Sequence, residues 1–274
     1  NGTRASAYTN KVSFNLLGGV SKNEEILTIS GLSSVVKNDA KGVQLAGLSN
    51  HIGHDGRGLA VAGLLNTAKN SYTGVQLAGL VNTASVVKGL QLAGLINVAK
   101  KVKGIQLSGL INIADESDYP VGVLNFIKKG EKSISVAYDY LQSWSLTFKS
   151  GSRHTYGIVG AGYNQKTKTF LTRAGLGLNI LQFNGFRLRN EISVSTDLEH
   201  IANSKLLIAG YSFTPAYKLT KNIEIFGGME LDYLHLKADK FYPLLTKNSL
   251  WNKTSSGQVK QLQAGFKAGV NILF

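Results

Sequence analysis

"GVQLAGLVN" occupies residues 74–82, and nearly the same words return as "GLQLAGLIN" at 89–97 and "GIQLSGLIN" at 104–112. Aligned on the first glycine, the repeats begin at Gly42, Gly58, Gly74, Gly89 and Gly104, in steps of 16, 16, 15 and 15. A second glycine keeps step at Gly47, Gly63, Gly79, Gly94 and Gly109, and an asparagine follows at Asn50, Asn66, Asn82, Asn97 and Asn112. So short a period means stacked supersecondary units. Two glycines per unit argue against helix, where each costs about 1 kcal/mol relative to alanine. Alternation argues for strand: Val75 and Leu77 share one face, Gln76 and Ala78 the other.

Each unit therefore predicts one coil of a parallel β-solenoid, with coils about 4.8 Å apart. Valine and leucine are expected to pile into the core. The five asparagines are expected to form an amide ladder at a corner. Gln76, Gln91 and Gln106 then fall in an exposed row, a candidate binding surface. Residues 12–41 read as degenerate terminal coils, as the end of a repeat array requires, and residues 1–11 as a tail or capping strand. The solenoid spans 12–127. One stretch, "HIGHDGRG" at 51–58, reads as an insertion. His51, His54 and Asp55 are metal-ligand types, but no third firm ligand stands at suitable spacing. The expectation is a glycine-rich turn without metal.

Composition narrows the classes. The formal net charge is +14, yet charged residues are only 17% of the chain, low for a soluble basic protein. There are no cysteines, which excludes disulfides, thiolate metal sites and thiol catalysis. No apolar run reaches the roughly 20 residues of a membrane helix. The first residues, "NGTRASAYTN", hold no signal-peptide core, so an exported chain is expected here in its mature form.

Beyond residue 127 the vocabulary changes. Between Phe14 and Tyr119 the only aromatic is Tyr72; after that aromatics are frequent and the alternation is longer and stricter. In 186–198, "FRLRNEISVSTDL", Phe186, Leu188, Ile192, Val194 and Leu198 oppose Arg187, Arg189, Glu191, Ser193, Ser195 and Asp197. Eight such segments follow one another, roughly 132–141, 143–150, 154–163, 168–181, 185–199, 205–219, 222–237 and 258–274. Several exceed soluble strands and match the 9–11 residues that cross a bilayer at a tilt. The reading is an eight-stranded antiparallel transmembrane barrel over 131–274. Leu262, Phe266, Val270, Ile272 and Phe274 are expected to face lipid. Asp139, Lys149, Arg173, Arg187, Arg189, Glu191, Glu224, Glu230, Asp232 and Lys267 are expected to fill the lumen as a salt-bridged plug, since eight strands leave no pore. Short turns "QFNG" and "LTKN" contrast with the long connector 238–257. Tyrosines 138, 140, 156, 211, 217 and 233 are candidates for interfacial girdles.

The ending "FKAGVNILF" resembles the assembly signal of bacterial outer-membrane barrels. The "GVQLAGLVN" units, over 42–112, resemble those of a bacterial family of surface repeat-containing proteins. The resemblance implies an outer-membrane or surface location and no particular activity. An even strand count puts both barrel ends on one side, so the solenoid is expected in the periplasm.

The expected role is non-enzymatic: a small plugged barrel anchors a solenoid that binds a partner, as an accessory or scaffold subunit of an envelope complex. Outer-membrane lipid or lipopolysaccharide and a protein partner are expected; nucleic acid and cofactors are not. Lys100, Lys101, Lys103, Lys128, Lys129, Lys166 and Lys168 cluster in connectors and at strand ends, which suits anionic head groups. Two alternatives remain open. One is a single barrel of about fourteen strands with a channel or transport role, though the tract lacks interfacial aromatics. The other is an enzyme acting on lipid or protein, with His200 near Asp197, Glu199, Ser193 and Ser195. His200 and Glu199 point to opposite faces of a strand, and no G-x-S-x-G elbow appears.

Overall fold

The computed structural model describes residues 7–198, 206–237, 243–246, 248–255 and 257–274. The chain is all-β and divides into two compact units, Asn1–Gly130 and Glu131–Phe274.

The first unit is a parallel solenoid. It runs through β1 (Thr9–Asn15), β2 (Gly18–Ser21), β3 (Asn23–Ser30), β4 (Ser33–Val36), β5 (Ala40–Ala46), β6 (Ser49–Ile52), β7 (Gly56–Ala62), β8 (Leu65–Ala78), β9 (Val81–Ala93), β10 (Ile96–Ser108), β11 (Ile111–Ala114), β12 (Glu116–Val121) and β13 (Leu124–Ile127). The repeat sets the register: Asn66 pairs with Asn82 and Asn82 with Asn97, Gly74 with Gly89 and Gly89 with Gly104. The step from 16 to 15 is absorbed by a register shift between Ala68 and Ser71.

Glycine is required at the corner holding Gly58, Gly74, Gly89 and Gly104. Each has positive φ, 114° to 134°, and a Cβ there would lie 2.1 Å from the carbonyl oxygen of the same glycine one coil below. One expectation needs correction. Residues 51–58 are no insertion; they continue the stack, His51 on Thr67 and Gly58 on Gly74. Within the stretch expected as a tail or capping strand, the first strand starts at Thr9.

The second unit is a closed antiparallel barrel of eight strands: β14 (Glu131–Asp139), β15 (Ser143–Gly151), β16 (Thr155–Asn164), β17 (Thr169–Phe183), β18 (Phe186–Asp197), β19 (Leu206–Lys218), β20 (Ile223–Leu236) and β22 (Gln258–Leu273). Closure runs from Ser133 on Leu273 to Asp139 on Lys267. The short β21 (Trp251–Ser255), unforeseen within the long connector, pairs with β22. Asn184 and Gly185, both at positive φ, make the two-residue turn between β17 and β18 that the twist of a hairpin favours. The repeats thus add no strands to the barrel, which rules out the fourteen-stranded alternative.

Candidate functional site

The barrel is polar inside and apolar outside. Side chains of Ile192, Val194, Phe266, Val270, Ile272 and Phe274 are exposed, and Leu262 is half-buried on the same outward row. The opposite row of β22 holds buried Gln261, Gln263, Lys267 and Asn271. Water does not reward that distribution; hydrocarbon does, because lipid demands an apolar exterior and a barrel leaves no backbone edge unpaired.

Among the described residues the inward charges form three ion-paired groups. In the first, Glu191 accepts from Lys149 at 2.5 Å, lies 3.5 Å from Lys267 and accepts from the Tyr156 hydroxyl at 2.8 Å; Lys267 also lies 3.7 Å from Glu230. In the second, Glu224 meets Arg189 at 2.5 Å and Arg187 at 3.7 Å, and Arg187 continues to Glu131 at 2.5 Å. Arg173 lies 3.7 Å from Asp139, and Asp232 is buried on the same inward row. Tyr156 and Tyr140 are not girdle residues. Tyr156 is buried inside, its ring over Gly177, where any Cβ would come within 2.2 Å of it. Tyr140 packs toward an apolar cluster.

That cluster shuts one mouth. Leu141, Leu171, Leu206, Ile208, Leu234 and Leu236 converge there, and Leu244 of the long connector caps them. Gln263 donates to the Leu244 carbonyl at 2.9 Å, while Gln261 both accepts from and donates to the backbone of Thr246. The connector is thereby held in the mouth.

The solenoid is inverted relative to the expectation. Gln76, Gln91 and Gln106 are not an exposed row: each is 0% exposed, and they bond each other across coils at 2.9 and 3.0 Å. Ala60 interrupts this ladder and leaves Gln44 Oε1 and Gln76 Nε2 without a partner. Asn50, Asn66, Asn82, Asn97 and Asn112 form a second buried ladder, with amide-to-amide distances of 2.9 to 3.0 Å, and Asn112 extends it to Asn125 at 2.8 Å. The amides of Asn50, Asn66, Asn82 and Asn97 also donate to a backbone carbonyl of the next coil, as Asn82 does to Leu92 at 2.7 Å. Alanines and a few larger side chains, among them Tyr72, Val87 and Val102, complete the interior. The repeat residues Val75, Leu77, Leu90, Leu92, Ile105 and Leu107, expected inside, stand on the outer face.

His51 bonds Thr67 and Ser49, both at 3.0 Å, and takes no part in an ionic cluster. His54 instead lies 3.4 Å from Asp55 and 3.6 Å from Asp39, a residue sequence reasoning missed although it stands one coil period before Asp55. The Ser71 hydroxyl and amide bond Asp55 and hold its carboxyl below the usual range against the opposing effect of burial. The His200 and Glu199 of the enzyme alternative lie outside the described residues.

Neither a family model nor a curated protein matches the chain. Among solved structures it is similar to a de novo designed transmembrane β-barrel at 10% identity, over 53% of this chain and 93% of that one, with a TM-score of 0.32. It is also similar to the solution NMR structure of the de novo designed TMB2.3 at 16% identity, over 53% and 97%, with a TM-score of 0.29.

Proposed function

We propose that this protein is a non-enzymatic scaffold of a bacterial outer membrane: the shut barrel anchors, and the solenoid recruits a protein partner at its first coil. The observation that carries the reading is the open edge of β1. Among the described residues no strand pairs with that edge, since β1 pairs with β3 alone. Beside it opens a cleft of about 550 Å³ lined by residues such as Asn10, Ser13, Asn15 and Glu24. Phe14, Leu16 and Leu17 are 73%, 92% and 64% exposed at this end. An unpaired edge with protruding apolar side chains is a template for strand addition by an extended peptide.

Isolation from the native membrane in mild detergent tests it. The wild-type chain is expected to carry a protein in fixed stoichiometry, and the double variant Phe14→Asp, Leu16→Asp is expected to lose it. A wild-type chain that emerges alone, or a partner kept by the variant, defeats the reading.

The solenoid is assigned to the periplasm. Glu131 and Leu273 lie at one end of the barrel, with the turns 184–185 and 219–222; the strand ends Asp197, Leu206, Leu236 and Gln258, between which the longest stretches of sequence run, lie at the other. Short turns are periplasmic and long loops extracellular in outer-membrane barrels as a class. The chain has no native cysteine to interfere with labelling. A membrane-impermeant maleimide is expected to label Lys168→Cys on intact cells and Lys100→Cys only after the outer membrane is permeabilised. Labelling of residue 100 on intact cells reverses the topology.

A further inference from the structure

The outer wall of the solenoid poses a physical problem that the open first coil does not solve. Leu32, Leu48, Leu64, Leu80, Leu95 and Leu110 form one column, bonded rung to rung through their backbones, and each is 39–50% exposed. Two further columns run beside it, one through Val75, Leu90 and Ile105 and one through Leu77, Leu92 and Leu107. Residues 79–80 bend, so the Leu80 column runs along the edge of this strand face. Five steps of about 4.8 Å give that column a length of roughly 24 Å, and a continuous exposed apolar stripe on a monomer is often functional.

The wall is built for a partner without a register. A protein docked on identical rungs finds the same surface after sliding one coil, so nothing fixes its position. The columns also lack the Trp, Tyr and Arg anchors that dominate protein interfaces, and leucine and valine are under-represented among such anchors. A fluid hydrocarbon surface needs neither register nor anchors. Charge points the same way. Across the glycine corner, directly beside the wall, stand exposed Lys41, Arg57, Lys88 and Lys103, stacked in one column with Thr73. An apolar face with a cationic border is the pattern of interfacial membrane elements, cations meeting the anionic head groups. Three residues, 128–130, join the last strand of the solenoid to the first strand of the barrel in the chain.

We infer that the leucine wall is a lipid-contact face, lying on an anionic bilayer leaflet with the cation column at its phosphates. This rests on the reading that the barrel spans a membrane, and it is separate from strand addition at β1.

The whole chain, reconstituted into phosphatidylcholine–phosphatidylglycerol vesicles, tests it. Single cysteines at Leu77, Leu92, Asn70 and Phe266 carry an environment-sensitive NBD label, and the lipids carry bromine on their acyl chains. Labels at 77 and 92 are expected to emit in the blue and to be quenched like the label at 266 on the barrel exterior, while the label at 70 is not. Lys88→Gln with Lys103→Gln is expected to weaken lipid contact at residue 77 by roughly 30-fold, from about 1 kcal/mol per cation. Water-like emission at 77 and 92 with a quenched 266 overturns the wall alone. Blue emission there without bromine quenching shows a protein cover, such as a second copy, and also overturns it. An unquenched 266 sinks the membrane reading and the wall with it. Unchanged contact after both Lys→Gln changes overturns the role of the cation column.

Discussion

Replacing Asn82 by leucine is expected to destabilise the solenoid by about 3–6 kcal/mol, whereas replacing Leu77 by serine is expected to cost under about 1 kcal/mol. The first figure follows from what Asn82 satisfies. Its amide donates to Asn97 Oδ1 at 3.0 Å and to the Leu92 carbonyl at 2.7 Å, and its oxygen accepts from Asn66 at 3.0 Å. Leucine strips Asn97 Oδ1 and the Leu92 carbonyl of this donor, at about 1–3 kcal/mol each, while Asn66 keeps the Leu77 carbonyl at 2.7 Å and adds less. Leu77 stands on the outer face, half-buried, with no polar group depending on it. Because coils interact chiefly with their neighbours, the loss should be local. Hydrogen exchange on the intact chain in detergent checks it: peptides from 65–108 should lose protection in Asn82→Leu and keep it in Leu77→Ser. The reverse order would mean that the coil faces have been assigned backwards.

This pair of substitutions also locates where sequence reasoning failed. The period, the strands and their parity were legible because glycine spacing and strict alternation are backbone requirements. Which face of a coil is interior was not, because the rule that apolar side chains go inside presumes water outside. In the barrel, long strands and terminal aromatics signalled a different solvent, so Phe266 and Phe274 were read as outward, where they stand. In the solenoid no such signal stands beside the alternation, and the same rule misplaces Leu77 and Gln76. A signal was present. Val75, Leu90 and Ile105 vary at one rung position, while Gln76, Gln91 and Gln106 beside them do not. A column that tolerates any branched apolar side chain is loosely packed; one that repeats the same amide over three successive coils is making hydrogen bonds. The inward turn of Tyr156 was hidden differently. It depends on Gly177 of the neighbouring strand leaving room, a pairing that alternation within one strand does not reveal.

Glu191 governs the second large effect. Glu191→Gln is expected to destabilise the barrel by about 3–5 kcal/mol, the usual result of removing one partner from a buried ion pair. Lys149 and Lys267 both lean on this carboxylate, and Lys149 has no other ion-pair partner among the described residues. Lys267 retains Glu230 at 3.7 Å, so Lys149 is the charge stranded by the change. Glu191→Gln combined with Lys149→Met should therefore recover most of the loss, whereas Lys149→Met alone leaves Glu191 with Lys267 and should cost less than Glu191→Gln. Urea unfolding in lipid vesicles, read by the heat-dependent shift of the folded barrel on gels, measures all three. If Glu191→Gln proved neutral, the charges would be ordinary hydrated lumen residues rather than a dry plug. The leucine cluster under Leu244 is built from other residues than Glu191, Lys149 and Lys267, so even the destabilised variant should conduct no ions while folded. Stability and closure thus depend on different residues: the ion pairs hold the wall together, and the capped leucines keep it shut.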